Sequence, residues 1–453
     1  MKIVIIGGDR VGTAMASQLT VEGHDITVID SSSQVVDRIS DSLDCMAIHG
    51  GGAEKSVMLQ AGVDKADLII ACTGEDELNL LCCVFAKKLG CGGAIARVRT
   101  PEYVEQVYEL KDDFGLSMII NPELNAAEEM FRLLEIPGVL RRDTFAKGKV
   151  EIVEVLVDPG DVLDGFPLSD WGKKIRCRAL VCVVRRGEET IIPDGRFVFK
   201  PGDKVYICAP ATEIVRMLRA TGEYRRKARD IMLIGGSRPV EYLVPMLLKS
   251  GAHVKIIEPD RANAEHFAEH FPEISVICAD GSSEMVLREE HAEEMDAVAT
   301  LTNRDEENLI LSMYIASLGV PQVLTMVDHI GFSEPFSRPE NRIISPKQLC
   351  ASAIISYVRA RQNSGGSAVV TLHHIADGHA EALEFEVTSA FRGAGHTLRN
   401  LKRKQDILIA CINRGGKVII PGGNDTIEAG DTVIVVARSG RKLLDLNDIM
   451  EDE

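Results

Sequence analysis

The sequence predicts an α/β protein with two doubly wound parallel sheets, each followed by a small β-rich α+β domain. Three observations predict it. The first thirty residues, MKIVIIGGDRVGTAMASQLTVEGHDITVID, read as an apolar strand from Ile3 to Ile6, a glycine turn (Gly7, Gly8, Gly12), a helix, and a second strand ending in Asp30. The unit then recurs: residues 230–258, DIMLIGGSRPVEYLVPMLLKSGAHVKIIE, set Gly235 against Gly7 and Glu258 against Asp30, both displaced by 228 positions. After each α/β stretch the pattern changes to short strands between turns, and Pro421 matches Pro193 as Gly430-Asp431 matches Gly202-Asp203, again displaced by 228. Self-similarity on this scale is a duplicated pair of domains in the order A-B-A-B.

Taken in order, residues 1–122 alternate strands (Ile3 to Ile6, Ile26 to Ile29, Cys45 to Ile48, Leu68 to Cys72, Ala94 to Val98, Met118 to Ile120) with helical stretches such as Leu78 to Leu89. That alternation is the mark of a parallel sheet covered by helices. Pro122 opens a connecting helix (123–144) whose Leu124, Ala127, Phe131 and Leu134 recur at helical spacing, and Pro137-Gly138 stops it. Residues 145–222 carry strands Val150 to Val157, Ala179 to Arg185 and Lys204 to Cys208, closed by the helix Glu213 to Leu218. The second parallel-sheet domain spans 229–345, a connecting helix and linker 346–366 with the run NSGGS at 363–367, and the second small domain 367–453.

At 453 residues, 45% apolar and 26% charged, the chain can bury several cores. Its apolar runs are too short to span a membrane as a helix, and MKIVIIGG has no signal-peptide cleavage pattern, so a cytoplasmic protein is expected. A net charge of −17 argues against nucleic acid as a partner; the basic runs Arg225-Arg226-Lys227 and Lys402-Arg403-Lys404 read as solvated faces. Eleven cysteines, an odd number without a C-x-x-C pair, mostly within apolar strands, suit a reducing compartment.

The first glycine turn exposes backbone N–H groups at a helix N-terminus, where a nucleotide phosphate can sit in a positive field. Gly7, Gly8, Asp9, Arg10, Val11 and Gly12 form it. The middle glycine of the G-x-G-x-x-G spacing is replaced by Asp9, which adds bulk and like charge where a diphosphate approaches; Arg10, Arg97 or Arg99 can compensate as phosphate donors. Asp30 is placed to accept from both ribose hydroxyls. In the second half Gly235 keeps the turn, Ser237 takes the middle slot, Val240 the last, and Pro239 removes an N–H. Arg238 and Glu258 remain, Asp280 falls where the first half has Gly52, and Met326 and Asp328 replace Arg97 and Arg99. This half reads as a poorer phosphate site, or a structural one.

A further motif recurs at strand ends, T-G-E-D-E-L-N (Thr73, Gly74, Asn79) and T-N-R-D-E-E-N (from Thr302), at the edge where doubly wound sheets bind ligands. Asp76 and Asp305 within it can cap the following helices. The adjacent pair His373-His374 has one member facing solvent by strand alternation and reads as incidental.

IIGGDRVG, the acid at Asp30, the T-x-x-D-x-x-N strand end and the small module with Gly-Asp before its last strand resemble the regulator-of-K⁺-conductance (RCK, or KTN plus TrkA-C) family. Two such units in one chain resemble the peripheral regulatory subunits of bacterial Trk potassium uptake systems. The resemblance implies Rossmann-like nucleotide domains, NAD(H) and ATP or ADP as ligands, and no enzymatic activity. It also implies self-association, as a tetramer of tandem chains or a dimer in isolation, at the inner face of the membrane under a TrkH-type potassium channel subunit. The expected mechanism is a ligand-biased equilibrium between two ring shapes. The rival readings are an NAD-dependent oxidoreductase, against which the lack of clustered His, Lys or Tyr counts, and a structural ring component with vestigial nucleotide sites.

Overall fold

The computed structural model describes residues 1–135, 139, 141–222, 227–328, 341–362, 369–376, 378–439 and 443–451. The expected helix stop at Pro137-Gly138, the basic residues Arg225 and Arg226, and the NSGGS run lie outside the described residues.

The first half begins with β1 (Lys2–Ile6), α1 (Arg10–Val21), β2 (Asp25–Asp30), α2 (Ser33–Ser42), β3 (Met46–His49) and α3 (Lys55–Gln60). It continues with β4 (Leu68–Ala71), α4 (Asp76–Leu89), β5 (Ala94–Arg97), α5 (Pro101–Glu109), β6 (Met118–Ile120) and α6 (Pro122–Glu135). The small domain follows as β7 (Arg141–Phe145), β8 (Val150–Leu156), α7 (Trp171–Lys174), β9 (Leu180–Arg186), β10 (Glu189–Ile191), β11 (Lys204–Pro210) and α8 (Ala211–Thr221). The second half repeats the plan with β12 (Asp230–Ile234), α9 (Arg238–Lys249), β13 (His253–Ile257), α10 (Arg261–His270), β14 (Ser275–Ile277) and α11 (Glu284–Glu289). Next come β15 (Ala297–Thr300), α12 (Asp305–Ser317), β16 (Val323–Met326), β17 (Asn341–Ile344) and α13 (Pro346–Gln362). The last domain holds β18 (Val369–Ile375), β19 (Ala380–Glu386), β20 (Ile407–Arg414), β21 (Lys417–Ile419) and β22 (Thr432–Arg438).

Both large sheets are six-stranded and doubly wound, in the orders β3-β2-β1-β4-β5-β6 and β14-β13-β12-β15-β16-β17. Their central strands, such as β1 and β4, are continuous apolar runs because helices cover both faces. Ile3, Val4, Ile5 and Ile6 of β1 are at most 1% exposed, each burial stabilising the fold by about 2 kcal/mol. The small sheets share one topology, β10-β9-β11-β8-β7 and β21-β20-β22-β19-β18, and every pairing in them is antiparallel. The first small sheet starts earlier than the expected boundary at 145. Arg141–Phe145 is its edge strand, paired with Val150–Glu154, and the alternating charge of RRDTF conceals it, because only its inward residues Asp143 and Phe145 are buried.

The chain divides into two compact units, 1–131 with 229–354 and 132–228 with 355–453. Like therefore packs with like: each unit contains both copies of one kind of sheet. In the unit of the large sheets, the Tyr242 hydroxyl on α9 donates to the Arg99 carbonyl at 2.7 Å and accepts from Asn121 Nδ2 at 2.9 Å, tying the halves together.

In the unit of the small sheets one apolar core runs through both copies, with Phe145, Ile152 and Tyr206 packed among Ile375, Ala382 and Ile434. Neither member of the His373-His374 pair is free in solvent as expected. His373 Nδ1 lies 3.0 Å from Asp143 with its ring edge-on to Phe145, and His374 Nδ1 lies 3.6 Å from Glu381. Burial opposes ionisation of Asp143, but Arg141 and His373 overcome it and hold its carboxyl at about 2.

Candidate functional site

The first glycine turn is shaped by steric necessity. Gly7 has φ +99°, and a Cβ on it would stand 2.9 Å from the backbone of Cys72 and Thr73. A Cβ on Gly12 would stand 1.9 Å from the Gly7 carbonyl oxygen, so α1 begins in direct contact with the turn. Asp30, at the end of β2, accepts from the Gly8 amide at 2.7 Å and from the Ser32 amide at 2.8 Å. It is half-buried, and each carboxylate oxygen keeps a lone pair for a hydroxyl.

Asp9 is the N-cap of α1. Its Oδ1 accepts from the amides of Val11 and Gly12 at 2.9 and 3.0 Å, and its Oδ2 accepts from Arg97 Nη1 at 2.9 Å. The N–H groups expected to face a phosphate thus already hold a carboxylate. Arg97, 3% exposed, also donates from Nη2 to the Thr73 carbonyl at 2.5 Å. It is not the free phosphate donor expected. Arg10, the first residue of α1, is exposed.

The strand-end motif proves to be a bracket. Asn79 is fully buried; its Oδ1 accepts from the Thr73 amide (2.7 Å) and hydroxyl (2.8 Å), while its Nδ2 donates to the carbonyls of Thr73 (3.2 Å) and Arg97 (3.0 Å). Asn79 therefore ties the ends of β4 and β5 together. Thr73 is half-buried and Gly74 exposed beside it, and the Gly74 carbonyl accepts from Arg99 Nη2. Asp76 caps the next loop and not its own helix: Oδ2 accepts from the amides of Arg99 and Thr100 and from the Thr100 hydroxyl, at 2.9, 2.8 and 2.8 Å.

The second half repeats the bracket and changes the turn. Thr302 and Asn308 reproduce the Thr73–Asn79 hydrogen bonds, with Nδ2 donating to Thr302 and Met326 carbonyls at 2.9 and 3.0 Å. Gly235 keeps φ +97° against Leu301 and Thr302. Ser237 caps α9 without a side-chain hydrogen bond; it is 7% exposed and its hydroxyl has no partner among the described residues. Arg238 beside it is exposed. Glu258 accepts from the Gly236 amide at 2.5 Å and the Asp260 amide at 2.8 Å, but it is 7% exposed, folded further under the turn than Asp30.

Asp280 is engaged in a local turn. It is exposed and accepts from the Ser282 amide and hydroxyl at 2.9 and 2.7 Å, a local turn before α11. The register corrects too: Gly281 stands under Ile234 as Gly52 stands under Ile6, so Asp280 is the counterpart of Gly51. The one-residue extension lies between α10 and β14, where apolar spacing alone does not reveal it.

One feature was missed in the sequence. Where the halves meet, Arg99 lies 3.9 Å from both Asp76 and Glu123, and Arg238 of the other half acts electrostatically on Arg99 and Glu123. Burial pushes the Glu123 carboxyl above its usual range despite these arginines. The counterpart cluster has its signs exchanged: Lys347 lies 3.6 Å from Asp328, within the field of Arg10. Burial lowers the Lys347 ammonium, against the pull of Asp328. The signal available was the pair Pro122-Glu123 and Pro346-Lys347 at matching helix starts. Among the described residues, no cluster of three or more His, Cys, Asp or Glu is arranged to hold a metal ion, and no helix is long and apolar enough to cross a membrane.

Known proteins resemble the chain along nearly its whole length. The TrkA-N domain model matches residues 3–122 and 231–346, and the TrkA-C domain model matches 152–221 and 383–445. The Trk system potassium uptake protein TrkA homolog of Archaeoglobus fulgidus is 30% identical over 97% of both chains. The Trk system potassium uptake protein TrkA of Haemophilus influenzae is 30% identical over 96% of this chain and 95% of its own. Among solved structures, the GsuK channel superposes with a TM-score of 0.65 at 15% identity, covering 97% of this chain and 77% of that one. The GsuK channel bound to NAD superposes with a TM-score of 0.63 over the same shares, also at 15% identity. Two TrkA-N and two TrkA-C domains in alternation, and full-length similarity to potassium uptake proteins, place the chain in the TrkA family of Trk system potassium uptake proteins.

Proposed function

We propose that this chain is a cytoplasmic, nucleotide-responsive regulatory subunit that gates a membrane potassium uptake channel of TrkH type. The observation that carries the reading is the correspondence, over 97% of both chains, with a protein named for potassium uptake, in a chain whose described helices do not span a membrane. The ligand is an adenine nucleotide, NAD(H) foremost and ATP or ADP as alternatives. Its ribose hydroxyls meet Asp30 in the first half and Glu258 in the second, beside the turns at Gly7 and Gly235. Four tandem chains close a ring, and nucleotide shifts the balance of ring shapes by its difference in affinity for them.

The test is potassium flux through the channel partner in proteoliposomes, with and without the chain, at graded NADH, NAD⁺, ATP and ADP. The expected result is flux that depends on the chain and changes with nucleotide, with Asp30→Ala shifting the nucleotide response. Flux indifferent to the chain would remove the regulatory reading. Flux that needs the chain but ignores every nucleotide would remove ligand control.

A further inference from the structure

The two helix N-termini that should receive phosphate differ in what they hold. At α9 the capping hydroxyl of Ser237 has no partner among the described residues. At α1 the Asp9 carboxylate accepts from the amides of Val11 and Gly12 and from Arg97 Nη1, all within 3.0 Å. An anion seated on two helix-terminal amides and one guanidinium has the set of donors that recognises a phosphate.

Two further facts mark this as more than a helix cap. Arg97 is 3% exposed, and its Nε has no hydrogen-bond partner among the described residues. A buried guanidinium left with an unpaired N–H has donor capacity beyond what Asp9 and Thr73 use. Asp9, by contrast, has a side chain 42% exposed, so its carboxylate can leave the seat for water at little desolvation cost. One partner is fixed and the other can swing away.

We infer that Asp9 is a built-in occupant of the first half's phosphate seat, and that a nucleotide's diphosphate binds there by displacing it from Val11, Gly12 and Arg97. The inference rests on the nucleotide-binding reading above. The exchange is anion for anion, so the donors stay satisfied in both states and Arg97 is never left buried without a counter-charge. Its consequence is selective. Groups that bind outside the seat, the ribose at Asp30 and the base, do not compete with Asp9, whereas phosphates do. Asp9 therefore weakens the phosphate contribution specifically, and ligands with more binding energy outside the seat are favoured over short phosphates.

The test is calorimetry on the full chain with ADP, inorganic pyrophosphate and adenosine, comparing the parent with Asp9→Ser and Asp9→Asn. Serine keeps a hydroxyl for the cap and asparagine keeps the shape, so at least one variant retains the fold. ADP and pyrophosphate are expected to bind Asp9→Ser at least tenfold more tightly than the parent, and Asp9→Asn by a smaller factor, with adenosine unchanged. Adding Arg97→Met, the residue found in the second half at Met326, should cancel the gain. ADP binding parent and variants alike would leave Asp9 a cap and overturn the inference alone. Weaker ADP binding in the variants, or a gain that survives Arg97→Met, would overturn it as well. If adenosine and ADP bind none of the proteins, the nucleotide reading falls together with the inference.

Discussion

The two large-sheet halves have the same backbone and opposite chemistry at it. What they share is scaffolding: a glycine with φ near +98° where the first strand turns (Gly7 +99°, Gly235 +97°), and a buried asparagine that ties two strand ends with the same four hydrogen bonds. What they do not share lies beside that scaffolding, at the helix start and at the seam between the halves. Gly12 has become Val240, Asp9 Ser237, Arg97 Met326, and the Arg99/Glu123 pair has become Asp328/Lys347. The fold is held by groups that satisfy the backbone, and the surfaces around them are free to diverge.

The largest predicted break in the comparison is at the helix start. Gly12→Val forces a Cβ into the Gly7 carbonyl, which as backbone cannot move aside, and should cost about 4 kcal/mol or more. The reciprocal Val240→Gly should cost about 2 kcal/mol, from lost burial and the flexibility of glycine. Urea unfolding checks both, and equal costs would show that the two helix starts are packed alike.

Asn79→Ala and Asn308→Ala should each cost about 3 kcal/mol, since each strands buried amide and carbonyl groups. A large difference between the two would mean that the brackets are not equivalent.

Next in size is the small-sheet unit, where Asp143 faces His373. The Asp143 carboxyl sits below its ordinary 3.8, at about 2. A depressed acid stabilises the fold above its unfolded value and loses that contribution as pH falls through its folded value. Asp143→Asn should therefore cost about 2 kcal/mol near neutrality, and the gap between parent and variant should close between pH 4 and pH 2 in urea melts. A gap independent of pH would assign the cost to packing.

The smallest effects are expected where charges alone distinguish the halves. Burial raises the Glu123 carboxyl, so ionising it costs stability as pH rises above the ordinary carboxylate value. Glu123→Gln should then be neutral or slightly stabilising above pH 6, within about 1 kcal/mol of the parent, although it removes an ion pair. Lys347→Met should behave likewise, its ammonium being lowered by burial. A loss of more than that in either melt would show that the exchanged charges hold the halves together.

Much of this was legible in the sequence, and the exceptions have physical reasons. The glycine turn, the acid at Asp30 and the alternation of strand and helix show because backbone strain and apolar periodicity leave their mark within a few residues. The role of Asn79 did not show, because a polar residue at a strand edge reads the same whether it serves a ligand or the chain's own carbonyls. Asp9 read as an obstacle to phosphate; that its carboxylate is held between the helix-start amides and a guanidinium depends on Arg97, 88 residues away, and no local spacing carries that. Asp280 was displaced by one position because an insertion in a polar loop leaves the flanking periodicities intact. Strand Arg141–Phe145 was hidden by charges that are paired with the other strands of the same unit.

Asp143 and His373 occupy equivalent places in the two small sheets: each sits on the edge strand three residues before an alanine with positive φ, Ala146 and Ala376. In a pair of identical protomers, a residue that meets its own counterpart must tolerate itself, and two aspartates or two imidazolium rings at this spot would repel. Joining the copies in one polypeptide lifts that restriction. Each repeat can then specialise for its sibling, acid against base, so that a half exchanged for a duplicate of the other would fold and yet mate badly. Covalent linkage here acts as a licence for asymmetry.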